Sequence, residues 1–253
     1  MNLSLLILLP LITALVVLFC KGLKQVRMIA LLGSVAQLGV SLWLMLLYWH
    51  ERAIGHNEAM LFQSNYEWFK PLGINYHIGV DGISIAMILL TATVVVAGIL
   101  VSWTMEKLSK EFFFLLVLLS MGAYGFFISL DLFTLFFFLE IAVIPKFLLI
   151  GIWGSGKKEY SAMKLALMLM AGSALVFVGL MGIYYETHSF DILAISQMHI
   201  PIDVQKFFFP FVDPIFYQPQ NPISYRNMTY FVILKNWMYF LTPIQESTNT
   251  EST

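Results

Sequence analysis

Charge is scarce in this chain. Of 253 residues only 11% are Asp, Glu, Lys or Arg, against about 25% in soluble domains. The 14 basic and 15 acidic side chains nearly cancel to a net charge of -1, which excludes the strong positive field that nucleic acid requires. Cysteine is scarcer still: Cys20 is the single one, so no internal disulfide can form. The histidines His50, His56, His77, His188 and His199 lack the spacing of a zinc site, and no metal is implied. No repeat of about 20 to 50 residues is visible.

Long apolar runs fill the space that charge leaves. Hydrophobic residues make up 59% of the chain and the mean hydropathy is +0.82, the composition of a membrane protein. A bilayer core takes about 20 apolar residues as a helix. Segments 28–48, 83–103, 112–130, 132–153 and 163–185 meet that length, and the slightly shorter 3–20 makes six. The expected fold class is therefore all-α, a polytopic membrane helix bundle. Segment 3–20 is not expected to be a cleaved signal, because its lysines and arginine (Lys21, Lys24, Arg27) follow the apolar run instead of preceding it.

Basic residues collect in short cytoplasmic connections. Lys21, Lys24, Arg27, Lys107, Lys110, Lys157, Lys158 and Lys164 lie at one set of helix ends, and only Arg52 and Lys70 at the other. This bias orients the N-terminus outside the cytoplasm. The longest connection, 50–80, then lies outside as well, and its Tyr66, Trp68 and Phe69 suit an interfacial segment.

Glu140 stands eight residues into the run that starts at Leu132, roughly 12 Å deep in a helix. An acidic residue there costs about 2.5 to 3.5 kcal/mol on insertion scales, and its side chain is too short to snorkel. It must face protein or a water-lined cavity, where desolvation favours the neutral acid unless a cation is close. Either state suits a proton carrier, and the plain alternative is a packing acid that stays protonated. Pro145, five residues on, removes one helical hydrogen bond and leaves a carbonyl near Glu140 for polar groups or water.

Lys146 is about 120° off the face of Glu140 and reads better as a side chain snorkelling toward the interface. Lys164, near the start of the next antiparallel helix, is too shallow for direct contact with Glu140; relay through waters and anchoring at the interface both remain open. "GIWGSGKK", 151–158, nearly fits a phosphate-binding loop, but Lys158 replaces the metal-binding hydroxyl and a spanning helix precedes it where a strand is needed. It reads as a turn between helices. "GVDGIS", 79–84, reads as a turn in which Asp81 caps the third helix.

Three stretches together, "GINYHIGVDGISIAMILLT" (73–91), "SLDLFTLFFFLEIAVIPKFLLIGIWG" (129–154) and "EYSAMKLALMLMAGSALVFVG" (159–179), resemble the N-terminal half of subunit M, the mitochondrial subunit 4 homologue, of proton-pumping NADH:quinone oxidoreductase. The resemblance covers residues 1–205 and implies six helices of an antiporter-like fold in a bacterial inner membrane. It also implies a proton-translocating subunit of a larger redox enzyme, driven by quinone reduction elsewhere. Within it, Glu140 matches the functional carboxylate of the fifth helix and Lys164 the lysine opening the sixth, both in proton translocation. Flavin, iron–sulfur clusters, NADH and quinone are implied for partner subunits, since one cysteine cannot hold a cluster. No redox centre is expected in this chain.

Residues 206–253 depart from the family, with Pro214, Pro219 and Pro222 breaking any helix and a polar "QESTNTEST" near the end. They are expected to be a divergent, partly disordered tail of a truncated or frame-disrupted subunit that does not pump alone. Two other function classes fit the same residues: a structural assembly component without transport, and a subunit of a multisubunit sodium/proton antiporter.

Overall fold

A computed structural model describes residues 2–20, 22–55, 58, 60–70, 73–104, 108–154 and 156–198. The tail at 206–253 lies outside them, as do Lys21 and Lys107 of the charge bias. Helix α1 spans Leu5–Phe19 and α2 Leu23–Ile54. An antiparallel hairpin follows, β1 Leu61–Phe69 with β2 Ile74–Val80. Then come α3 Gly82–Val101, a 3-10 turn at Ser102–Thr104, α4 Ser109–Ile128, α5 Leu132–Trp153, α6 Lys158–Thr187 and the short α7 Ile192–Gln197.

A helix forms at each of the six apolar runs, and the fold is the all-α helical bundle that the hydropathy implies. Five helices are long and apolar enough to cross a bilayer, and α1 is shorter. Their ends differ from the apolar runs. Helix α2 continues past Tyr48 to Ile54, and α6 begins five residues before Met163, because a helix is limited by its caps and not by the edge of its hydrophobic stretch. Asp81 caps α3 as its sequence context implied, its carboxylate accepting the Ser84 N–H at 2.7 Å.

The long connection between α2 and α3 holds more order than its composition implied. Its hairpin is clamped to the α4–α5 corner by backbone bonds: Leu130 N–H donates to His77 O at 2.8 Å, and Ser129 bridges Ile78. On the other side of that corner, Leu132 N–H donates to Phe190 O at 2.9 Å and Ile192 N–H to Leu130 O at 3.0 Å. The corner therefore joins β2 to the turn after α6. Tyr66, Trp68 and Phe69 remain exposed, with Trp68 edge-on to Phe137 of α5.

Helix α4 is the centre of the bundle, packed against α1, α2, α3 and α5. The main core cluster joins Leu6, Leu44, Ile88, Tyr124, Ile128 and Phe138 from five helices. Helix α6 packs on the outer side of α5.

Candidate functional site: the α5–α6 seam

Helix α5 starts where its N-cap is satisfied. Asp131, wholly buried, accepts the Thr134 N–H at 3.0 Å through Oδ1 and the Asn75 N–H at 3.3 Å through Oδ2. Thr134 Oγ1 donates in turn to Asn75 O at 3.2 Å. Both backbone groups of one β2 residue are thus held by the first turn of α5. Burial pushes the Asp131 carboxyl above its ordinary range, and the N–H groups of Thr134 and Asn75 pull it back only in part. This clamp sets the rotation of α5, and hence the direction of Glu140.

From that start α5 runs unbroken through Pro145 to Trp153. Phe138, Ala142, Pro145 and Leu149, on one stripe, are buried, and Leu149 and Ala142 meet Leu115 and Leu119 of α4. The stripe of Phe133, Phe136 and Glu140 faces α6 instead. Phe136 lies against Phe177 with ring centroids 5.6 Å apart, and Glu140 follows Phe136 by four residues, one turn along the same face.

Two contacts give the register of the seam. Phe136 meets Phe177 at one end, and a Cβ on Gly151 would stand 3.5 Å from Ala162 Cβ at the other. The antiparallel helices therefore match residue for residue, which brings Glu140 level with Ser173. Lys164 is level with Leu149, nine residues further along α5 and roughly 14 Å away in depth. Direct pairing of Glu140 with Lys164 is excluded by that offset, as the sequence spacing implied. Between the two contacts the seam is open. Ile144 is 65% exposed, and a Cβ on Gly172 would meet nothing within 4 Å.

Glu140 is half-buried, and its Oε1 is shielded from solvent without a hydrogen-bond partner. The unmet oxygen is an acceptor aimed into a spanning helix pair, the arrangement that a proton or a cationic side chain would satisfy. Lys146 is half-buried and stands six residues, about 120° round the helix, from Glu140, so it shares no face with it. Lys164 is exposed on the outward side of α6, between Met163 and Leu167. At the basic end, Lys158 Nζ donates to Ile152 O at 2.9 Å, closing the last turn of α5. Its ammonium is engaged by a helix C-terminus, in keeping with a turn and not a phosphate loop.

The matching family is described as NADH:quinone oxidoreductase/Mrp antiporter, transmembrane, and its pattern covers residues 129–221, which begin at the α4–α5 corner and include the whole seam. F(420)H(2) dehydrogenase subunit M of Methanosarcina mazei is 32% identical over 215 residues, 83% of this chain and 41% of that protein. NADH-quinone oxidoreductase subunit M of Rickettsia typhi is 31% identical over 215 residues, 80% of this chain and 42% of that protein. The chain belongs to this family of membrane subunits. It spans about two-fifths of the length of these relatives. A chain in the structure of respiratory complex I from Thermus thermophilus with bound NADH shares the fold, with a TM-score of 0.71 at 20% identity over 83% of this chain and 42% of that one.

Within this family's antiporter-like frame, sequence reasoning singled out Glu140 and Lys164 but missed what orients them. Asp131 followed by Thr134 just before an apolar run is a legible helix start, although its grip on Asn75, 56 residues away, is not. Ser173, level with Glu140, has no signal of its own in the sequence. Among the described residues no three His, Cys, Asp or Glu side chains converge as metal ligands.

Proposed function

We propose that the chain is a proton-translocating membrane subunit of an NADH:quinone oxidoreductase-type complex, in which Glu140 carries proton or charge and Lys164 belongs to the same path at its basic end. The observation that carries this reading is the shielded, partnerless Oε1 of Glu140 on a long apolar helix, on the face that packs against α6. An acid retained at a cost of about 2.5 to 3.5 kcal/mol is functional by default. Because about 14 Å of depth separates Glu140 from Lys164, transfer between them runs through water and intermediate groups, and Ser173 stands at the first step. A cationic group entering the open seam from outside the described residues would complete the pair. Both named relatives are subunits of dehydrogenase or oxidoreductase complexes, which supports the redox-driven reading over the sodium/proton antiporter one. Flavin, iron–sulfur clusters, NADH and quinone belong to partner subunits in this reading, and the membrane is a bacterial inner membrane with the N-terminus outside. Cysteines introduced at Asn2 and Lys157 in a Cys20→Ser background are expected to label from opposite sides.

The test replaces Glu140 in the assembled complex. Glu140→Gln keeps volume and hydrogen-bonding capacity but cannot ionise, so it is expected to lose most coupled pumping, while Glu140→Asp retains part. Proton pumping and quinone-coupled NADH oxidation are measured per assembled complex, which separates lost chemistry from lost assembly. Normal pumping by the glutamine variant would assign Glu140 to packing alone.

A further inference from the structure

A second polar place lies inside the bundle, on the far side of α4 from the seam. Pro10 stands within α1 and has no N–H for the Leu6 carbonyl four residues before it. That carbonyl accepts instead from Nε2 of Gln37 on α2, at 3.1 Å. A carbonyl can only accept, so the nitrogen end of the amide must face Leu6, and this fixes Oε1 on the other side. There Oε1 finds no partner, and neither does the phenolic oxygen of Tyr124 on α4. Gln37 is 3% exposed and Tyr124 is 1% exposed.

Both residues line one small cavity, along with Thr13, Ser34 and Ser120. The three hydroxyls donate to the carbonyls of Leu9, Leu31 and Val117 at 2.8, 2.9 and 2.7 Å. Each has committed its single proton and offers lone pairs only. The cavity is consequently rich in acceptors, with the Tyr124 O–H and the second amide proton of Gln37 as its free donors. Its lining carries no charge, so a cation would shed its hydration there without a counterion. An apolar occupant would leave the two orphan oxygens unmet. A small neutral molecule with two donors and two acceptors satisfies both conditions.

We infer that this cavity binds one water molecule, which accepts from the Tyr124 hydroxyl and donates to Gln37 Oε1 and to a neighbouring hydroxyl oxygen. The space open to the centre of a water is about 10 Å³, room for one molecule and not for a chain of them. The water joins α1, at its proline-opened turn, to α2 and α4. It is a fixed ligand of the bundle and not part of the proton path, since α5 contributes nothing to the lining. The inference therefore stands independently of any role for Glu140.

The test is solid-state NMR on the full chain in lipid bilayers, recording magnetisation transfer from water protons to labelled glutamine and tyrosine side chains. Cross-peaks from water to the Gln37 amide and to the Tyr124 ring are expected. Tyr124→Phe removes one oxygen and keeps the ring, and it should cause loss of most of the water transfer to Gln37. Tyr124 transfer to the Gln37 amide without water would show a direct hydrogen bond and overturn the inference. So would a dry cavity, in which neither side chain receives magnetisation from water. If the phenylalanine variant does not fold, the wild-type cross-peaks decide the matter alone.

Discussion

Helices α4 and α6 are equally apolar and meet opposite fates. Their most hydrophobic windows average 2.0 and 2.2 in hydropathy, yet 72% of the first is buried inside the bundle and only 17% of the second. Both helices carry small residues, but those of α4 lie against a neighbour whereas Gly172 of α6 faces open space. On α4, Gly122 and Gly125 let the backbone approach α5 closely: a Cβ on Gly122 would stand 3.0 Å from Phe138 O, and one on Gly125 would run into the Phe138 ring. In lipid, where apolarity alone gives no preference for protein over acyl chain, such close approach decides which helix is central. Helix α6 instead turns Met163, Leu167, Met168, Met170 and Leu175 outward, with Lys164 among them.

The largest effect on this contrast is expected from Gly125→Ala. The added methyl overlaps the ring of Phe138 near its root, where the side chain cannot swing away, and overpacking of this kind costs about 1–3 kcal/mol. Thermal unfolding in detergent should show it, and an unchanged midpoint would mean that α4 and α5 do not meet at this glycine.

Asp131→Ala comes next. It removes the N-cap of α5 and the tie to Asn75, for a loss of about 1–2 kcal/mol, with faster amide exchange in β2 near Asn75 as its local signature. Protection in β2 equal to wild type would separate the hairpin from the helix start.

A smaller effect, of opposite pH dependence, belongs to the turn after α6. Asp191 is pushed up by burial, but its contact with His77 and the Leu193 N–H outweigh that and hold its carboxyl below the ordinary 3.8. His77 Nδ1 lies 3.3 Å from Asp191 Oδ2, a close approach in which the nitrogen meets no hydrogen-bond geometry. A depressed group stabilises the fold above its unfolded value, and that stability is lost as pH falls through the folded one. Asp191→Asn should therefore cost about 0.5–1 kcal/mol at neutral pH, the cost fading in acid below 3.8. Asp131, raised by burial, contributes with the reverse sign: its share is present below 3.8 and declines as pH rises through the raised value. Paired melts of the two variants against pH would break this picture if both slopes had one sign.

The smallest effect sharpens the comparison from the other side. Gly172→Ala on α6 meets nothing within 4 Å and is expected to leave stability unchanged or raise it by up to about 1 kcal/mol through helix propensity. A destabilisation like that of Gly125→Ala would mean that α6 is packed there by something outside the described residues.

Local chemistry made the spans legible, because a run of about 20 apolar residues has few alternatives in a bilayer. It also made Asp81 legible as a cap and Glu140 as a misfit, since each property depends on neighbours within one or two turns. The hairpin was not legible. "LFQSNYEWF" alternates weakly, and its order comes from β2 and from the Ser129–Asp131 corner. Nor was the polar cavity, because Gln37 and Tyr124 are ordinary residues on separate helices until packing brings their unmet oxygens to one place.

What the sequence alone determined, then, is the all-α class, the place of the long apolar helices and the presence of a carboxylate that must be accounted for; all three follow from transfer free energies that act residue by residue. Only the tertiary structure decided that the Phe136 stripe carrying Glu140 faces α6, that Glu140 is level with Ser173, and that α4 and not α6 is central among the described residues. Those are matters of rotation and register, set by contacts such as Phe136 with Phe177 and Asp131 with Asn75. Hydropathy is blind to them, because a helix can turn about its axis or slide along its neighbour without changing a single residue's affinity for lipid.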